Sequence, residues 1–109
     1  MGTMQHHAII VTGWNQGDVE TAHALACNLT ATDKSSPIRM SPVNAYYSFT
    51  IYPDGSKEGW PASDLGDDIR ERFLSGIAGL SLTWVEVSFG ELGLWAKDSS
   101  GLITVPDPK

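Results

Sequence analysis

Residues 82–97 can be written as a β-hairpin with a definite register. Taking Gly90-Glu91 as a two-residue turn with glycine first, as a type II′ turn requires, sets Phe89 opposite Leu92, Val87 opposite Leu94 and Val85 opposite Ala96. That set is wholly apolar. The alternate set pairs Ser88 with Gly93, Glu86 with Trp95 and Trp84 with Lys97. A slip of one residue would mix the two, so the alternation specifies the pairing. The expectation is a sheet with one apolar face and one face of tryptophans and charges.

The remaining chain supplies partners for that hairpin. His7-Ala8-Ile9-Ile10-Val11-Thr12, ended by Gly13, reads as a central strand because neighbouring positions on both faces are apolar. A helix is expected from Asp18 to about Thr30, with Val19, Ala22, Leu25, Ala26 and Leu29 as its stripe. Ile38–Val43, bracketed by Pro37 and Pro42, reads as an edge strand. Tyr46–Tyr52 alternates, placing Tyr47, Phe49 and Ile51 on one side and Tyr46, Ser48, Thr50 and Tyr52 on the other. Pro53-Asp54-Gly55 is a turn signal. Ser63 or Asp64 is expected to cap a second helix with the stripe Leu65, Ile69, Phe73, Ile77 and Leu80 and with Leu74 beside it. Gly76 and Gly79 place its end between Ser75 and Leu80.

The order β-α-β-β-α-β-β predicts an α+β fold, a ferredoxin-like split βαβ sandwich with an extra C-terminal strand. Both helices cover one face of an antiparallel sheet. Right-handed crossovers put the first strand between the third and fourth. A different α+β sandwich of the same elements is the alternative. At 109 residues the chain is expected to form one domain, spanning 4–105. Met1-Gly2-Thr3 reads as an added leader before a native start at Met4, and residues 106–109 as a disordered tail with Leu102–Val105 as a short added strand.

Charge and cysteine content narrow the function classes. The formal net charge is −6, and seven Lys and Arg are scattered along the chain, which argues against a nucleic-acid partner. Cys27 is the one cysteine, so no internal disulfide and no cysteine-based zinc site is expected. It reads as a small half-buried helix residue rather than a nucleophile. No apolar run approaches the ~18–20 residues of a membrane span, and no signal-peptide pattern opens the chain. A cytoplasmic protein with no membrane partner is expected.

Five constellations are weighed for chemistry. With Phe49, Val85, Val87, Phe89 and Leu94 directed to the helices, the open sheet face carries Tyr46, Ser48, Thr50, Tyr52, Trp84, Glu86, Trp95 and Lys97. An aromatic face without a helix over it invites a partner, and pairing of two sheets into a homodimer fits best. Cross-strand pairs, with Trp84 over Lys97, are the plain packing alternative. The loop Thr12–Asp18 precedes a helix N-terminus but lacks the Lys and third Gly of a phosphate loop. Asn15 or Asp18 as a helix cap explains it without a ligand. The loop Asp54–Pro61 is the longest polar stretch; Trp14, Asn15, Asp54, Lys57, Glu58 and Trp60 form a candidate small-ligand site if the two loops meet. Asp64, Asp67, Asp68 and Glu71 share a helix face and read as solvated carboxylates paired with Arg70 and Arg72. His6 and His7 point opposite ways along a strand, so they make no joint metal site, and His23 reads as packed. No catalytic residues, metal ligands or cofactor are assigned.

Several segments resemble a family of small uncharacterised proteins of tailed bacteriophages and prophages: His7–Trp14, Ser41-Pro42-Val43-Asn44, Tyr47-Ser48-Phe49, Pro53–Trp60 and Trp84-Val85-Glu86-Val87. The resemblance implies a phage-encoded accessory protein in the bacterial host cytoplasm and implies no activity. The expected function is binding, to a host protein or a small host metabolite, as a homodimer and without catalysis. A small-ligand receptor or enzyme using the two loops, and a minor virion component, are the alternatives.

Overall fold

β1, Thr3–Gly13, is the longest strand and organises the rest. The computed structural model describes residues 3–30, 34–53, 57–58 and 61–103. In chain order these are β1, α1 (Gln16–Leu29), β2 (Arg39–Met40), β3 (Tyr47–Ile51), β4 (Lys57–Glu58), α2 (Pro61–Gly76), β5 (Thr83–Gly90), β6 (Trp95–Asp98) and β7 (Gly101–Ile103). The strands form one antiparallel sheet ordered β2-β3-β1-β5-β6-β7, with β4 on the start of β1. The class is α+β, and β1 lies between β3 and β5 as right-handed crossovers require. The complete order is not that of a plain ferredoxin-like sheet, because β6 and β7 extend it past β5 and β4 adds to β1.

Both helices start where local chemistry favours it. Asn15 caps α1, its side chain accepting from the Asp18 N–H at 3.1 Å. Pro61 opens α2, where its missing N–H costs nothing. Ser63 as a cap, the Pro53-Asp54-Gly55 turn, the leader residues 1–2 and the tail 106–109 lie outside what the structure describes, by side chain or altogether.

The core lies between the helices and one half of the sheet. Ile9 and Val11 of β1, Phe49 and Ile51 of β3, Val19, Ala22 and Ala26 of α1, and Phe73 of α2 with Ile77 just beyond it are buried together. Phe49 and Phe73 meet edge to face at 6.2 Å. Leu65 is an exception to the expected α2 stripe: it is exposed, and the buried line runs Gly66, Arg70, Phe73 and Ile77.

The outer strands reverse the expected faces. Ile9 pairs with Glu86 and Val11 with Trp84, as well as with Ile51 and Phe49. Opposed residues in an antiparallel pair share a face. Trp84, Glu86, Trp95 and Lys97 therefore lie on the helix side, not on the open face. Val85, Val87 and Phe89 lie on the open face, and Leu94 is an exposed loop residue rather than a core one. On β3 the expected faces hold, with Phe49 and Ile51 buried and Tyr46 and Tyr52 exposed.

The hairpin register also shifts by two. Val87 pairs with Ala96 and Glu86 with Lys97. An even shift keeps each alternating set together but opens the two-residue turn at Gly90-Glu91 into a longer loop. Gln5, buried on β1, holds that loop. Its amide donates to Ser88 Oγ at 2.7 Å and the Gly93 carbonyl at 2.9 Å, and its Oε1 accepts from the Leu92 N–H at 2.9 Å. Gly90 has φ +145°, and a Cβ there would stand 2.5 Å from the Met4 carbonyl oxygen. Only glycine fits that approach.

Candidate functional site

The turned-in outer strands create a charged cleft beside the apolar core. It has a volume of about 430 Å³ and is lined by His7, Asp67, Arg70, Glu71, Leu74, Glu86, Trp95 and Lys97. Sheet register sets one wall. His7, Ser88 and Trp95 form one cross-strand row, and Ile9, Glu86 and Lys97 the next. His7 and Trp95 meet ring to edge at 6.2 Å. Helical spacing sets the other wall, because positions 67, 70, 71 and 74 share one face of α2.

An alternating chain of charges crosses the cleft from helix to strand. Asp67 pairs with Arg70 Nη2. Arg70 Nε lies 3.4 Å from Glu86 Oε2, and Glu86 Oε1 lies 3.3 Å from Lys97 Nζ. Arg70 and Glu86 are buried, whereas the ends of the chain are open, with the Asp67 side chain 55% exposed and that of Lys97 42%. A buried carboxylate persists only when paired. Glu86 meets that condition with two cations from two different elements.

The lining offers three carboxylates, two cations, an imidazole and the apolar surfaces of Trp95 and Leu74. It contains no hydroxyl or thiol. Cys27, on α1, is 3.9 Å from both ring nitrogens of His23. Its sulfur therefore rests against the ring instead of lining up with one lone pair. The His23 ring is fixed by its Nε2, 2.9 Å from the Ser36 carbonyl, and by an edge contact with Phe49.

The other sequence candidates separate in space. Trp14 is exposed at 62%, just past the end of β1, while Asn15 is occupied as a helix cap. Lys57 and Glu58 pair with Met4 and Thr3, at the opposite end of β1. At ~3.3 Å per residue the length of the strand puts roughly 30 Å between them. Of the second loop, the described backbone of Lys57 and Glu58 thus lies at the far end of β1 from Trp14. Asp54 and Trp60, and the side chains of Lys57 and Glu58, lie outside the described residues. On the acidic helix face Asp67 pairs with Arg70 and Asp68 with Arg72, as the plain reading of that face expects.

The cleft gathers residues that the sequence flags separately and for other reasons. Glu86, Trp95 and Lys97 stand out as open-face residues, Asp67 and Glu71 as a solvated helix face, and His7 as an isolated imidazole. Arg70 is the residue whose position sequence reasoning misses. Its signal is its spacing, three before Phe73 and seven before Ile77, which puts a cation in the buried line. Comparison with protein-family models, with curated proteins and with solved structures gives no match to this chain.

Proposed function

We propose that the protein acts by non-covalent binding and that the cleft under α2 receives a small polar molecule. The observation that supports this is Glu86, a buried carboxylate held between Arg70 and Lys97 on the wall of an open cleft. Apolar side chains of similar size would stabilise the fold as well or better. A preassembled polar set beside an aromatic ring is what orients a ligand. Amide-correlation NMR against a library of polar fragments tests the reading. Binding shifts resonances of His7, Glu86, Trp95 and Lys97 together; shifts confined to other surfaces overturn it.

A second reading concerns self-association through the open sheet face. Ile10 and Phe89 are exposed at 44% and 43% on that face, with Val85 and Val87 half-buried beside them. The residues at its centre carry no formal charge, so two copies would oppose no like charges. The homodimer of this reading uses Ile10, Val85, Val87 and Phe89 in place of the tryptophan set. Solution mass across a concentration series tests it: a dimer that Ile10→Lys splits supports it, and a parent that stays monomeric at high concentration ends it. The phage resemblance suggests the setting for either reading, an accessory protein acting inside a bacterial host on a host protein or metabolite.

A further inference from the structure

We infer that the cleft recognises a small zwitterion whose ammonium and carboxylate lie several bonds apart, an ω-amino acid or a short peptide; this rests on the binding reading above. The charge chain Asp67–Arg70–Glu86–Lys97 uses its two inner members on each other. Its outer members are the accessible ones, a carboxylate on the helix wall and an ammonium on the strand wall. Glu71, exposed and one helical turn from Asp67, adds a second carboxylate to the helix wall. A ligand ammonium is therefore favoured at α2 and a ligand carboxylate at Lys97. Such a ligand closes the chain into a ring in which each charge has two opposite neighbours.

The separation of the ligand charges follows from the same geometry. Asp67 and Lys97 make no ion pair with each other, and a guanidinium and a carboxylate stand between them. An α-amino acid carries its two charges on one carbon and cannot meet both ends. A linker of several atoms can, and Trp95 and Leu74 give it an apolar surface to lie against. A purely anionic ligand would face Asp67 and Glu71, and a purely cationic one would face Lys97, so each would leave one wall opposed by like charge.

The test uses three probes that share one hydrocarbon stem: 6-aminohexanoate, hexanoate and hexylamine. Titrations are followed by amide-correlation NMR on the full chain. The expected result is that 6-aminohexanoate shifts the cleft resonances and that each single-charge probe binds at least about tenfold more weakly, as the loss of one charge-assisted contact predicts. Lys97→Met should weaken 6-aminohexanoate while hexylamine, relieved of a like charge, binds no more weakly than before, and Asp67→Asn should weaken 6-aminohexanoate while hexanoate binds no more weakly than before. The Asp67 side chain is 55% and that of Lys97 42% exposed, and Glu86 keeps Arg70 in both variants, so each is expected to stay folded, with a parent-like spectrum away from the cleft as the check. Equal binding of hexanoate or hexylamine overturns the zwitterion assignment. So does silence toward 6-aminohexanoate while other fragments occupy the cleft, which leaves the binding reading standing. A cleft undisturbed by every probe and fragment overturns both.

Discussion

One face of one sheet carries two different interiors. Under α1 and the second half of α2, β1 and β3 present Ile9, Val11, Phe49 and Ile51, and the space is filled by Phe73, Ile77 and small α1 side chains. Beside it, β5 and β6 present Glu86, Ser88, Trp95 and Lys97 to the face of α2 that carries Asp67, Arg70, Glu71 and Leu74. The first region is held by close packing, which is tolerant of polarity nowhere and needs no directional partner. The second is held by directional contacts: three hydrogen bonds on the Gln5 amide and two cations on Glu86. Buried polar groups are stable only as satisfied sets, so the second region is the one in which removing a single partner exposes the cost of the others.

The strongest way to test that contrast is to damage each region once. Phe73→Ala should cost about 3–5 kcal/mol, from lost burial plus the cavity left beside Phe49, measured by urea unfolding. Glu86→Leu should cost a similar ~3–5 kcal/mol for a different reason, because it leaves Arg70 buried beside a neutral side chain. The two regions then separate on repair. Combining Glu86→Leu with Arg70→Met should recover most of the loss, to roughly neutral or better, whereas no second polar change repairs Phe73→Ala. A double variant as unstable as Glu86→Leu would mean the pair is not an isolated electrostatic unit.

A smaller effect sharpens the picture at the loop. Gln5→Leu keeps the volume approximately but strands the Leu92 N–H, the Gly93 carbonyl and the Ser88 hydroxyl. The expected cost is about 1–3 kcal/mol, with faster amide exchange at Leu92 while Phe49 and Ile51 remain protected. Uniform loss of protection across the sheet would show that loop and core unfold as one unit.

The smallest effect lies at the β6–β7 turn. Asp98 is held below its ordinary carboxylate value of about 3.8 by hydrogen bonds from the Ser100 hydroxyl and the Ser100 and Gly101 N–H groups. A lowered carboxylate stabilises the fold at neutral pH, and that contribution disappears as pH falls through its folded value. Asp98→Asn should therefore flatten the loss of stability below about pH 4 slightly and change little at neutral pH, since the group is solvent-exposed. Thermal melts of parent and variant between neutral and acid pH read this directly.

How far the chain is readable from its residues differs between the same two regions. Val19, Ala22 and Ala26 recur at helical spacing, and Phe49 and Ile51 alternate with polar neighbours, so their inward faces follow from period alone. In β1, Ala8, Ile9, Ile10 and Val11 are all apolar, and period says nothing about which of Ile9 and Ile10 turns inward. That ambiguity propagates outward. Once Ile9 faces the helices, pairing carries Glu86 and Lys97 to the same side, although their own hairpin reads more naturally the other way round. The hairpin loop follows the same logic: Gly90-Glu91 is sufficient for a tight turn, but a glutamine 85 residues earlier in the chain supplies the partners that make a longer loop stable.

The sequence by itself determined the α+β class, the order of the two helices and of the strands other than β4, the two alternating sets of the hairpin and which β3 side chains enter the core. Those depend on neighbours a few residues apart, where the 2.0 and 3.6 periods act. The tertiary structure alone decided which hairpin set turns inward, that Arg70 is buried against Glu86, and that Trp14 and β4 sit at opposite ends of β1. Each of these is a pairing between distant segments, fixed by the best joint burial of the whole chain. A sheet residue's face is inherited from its cross-strand partner, and that partner is not written in the local sequence.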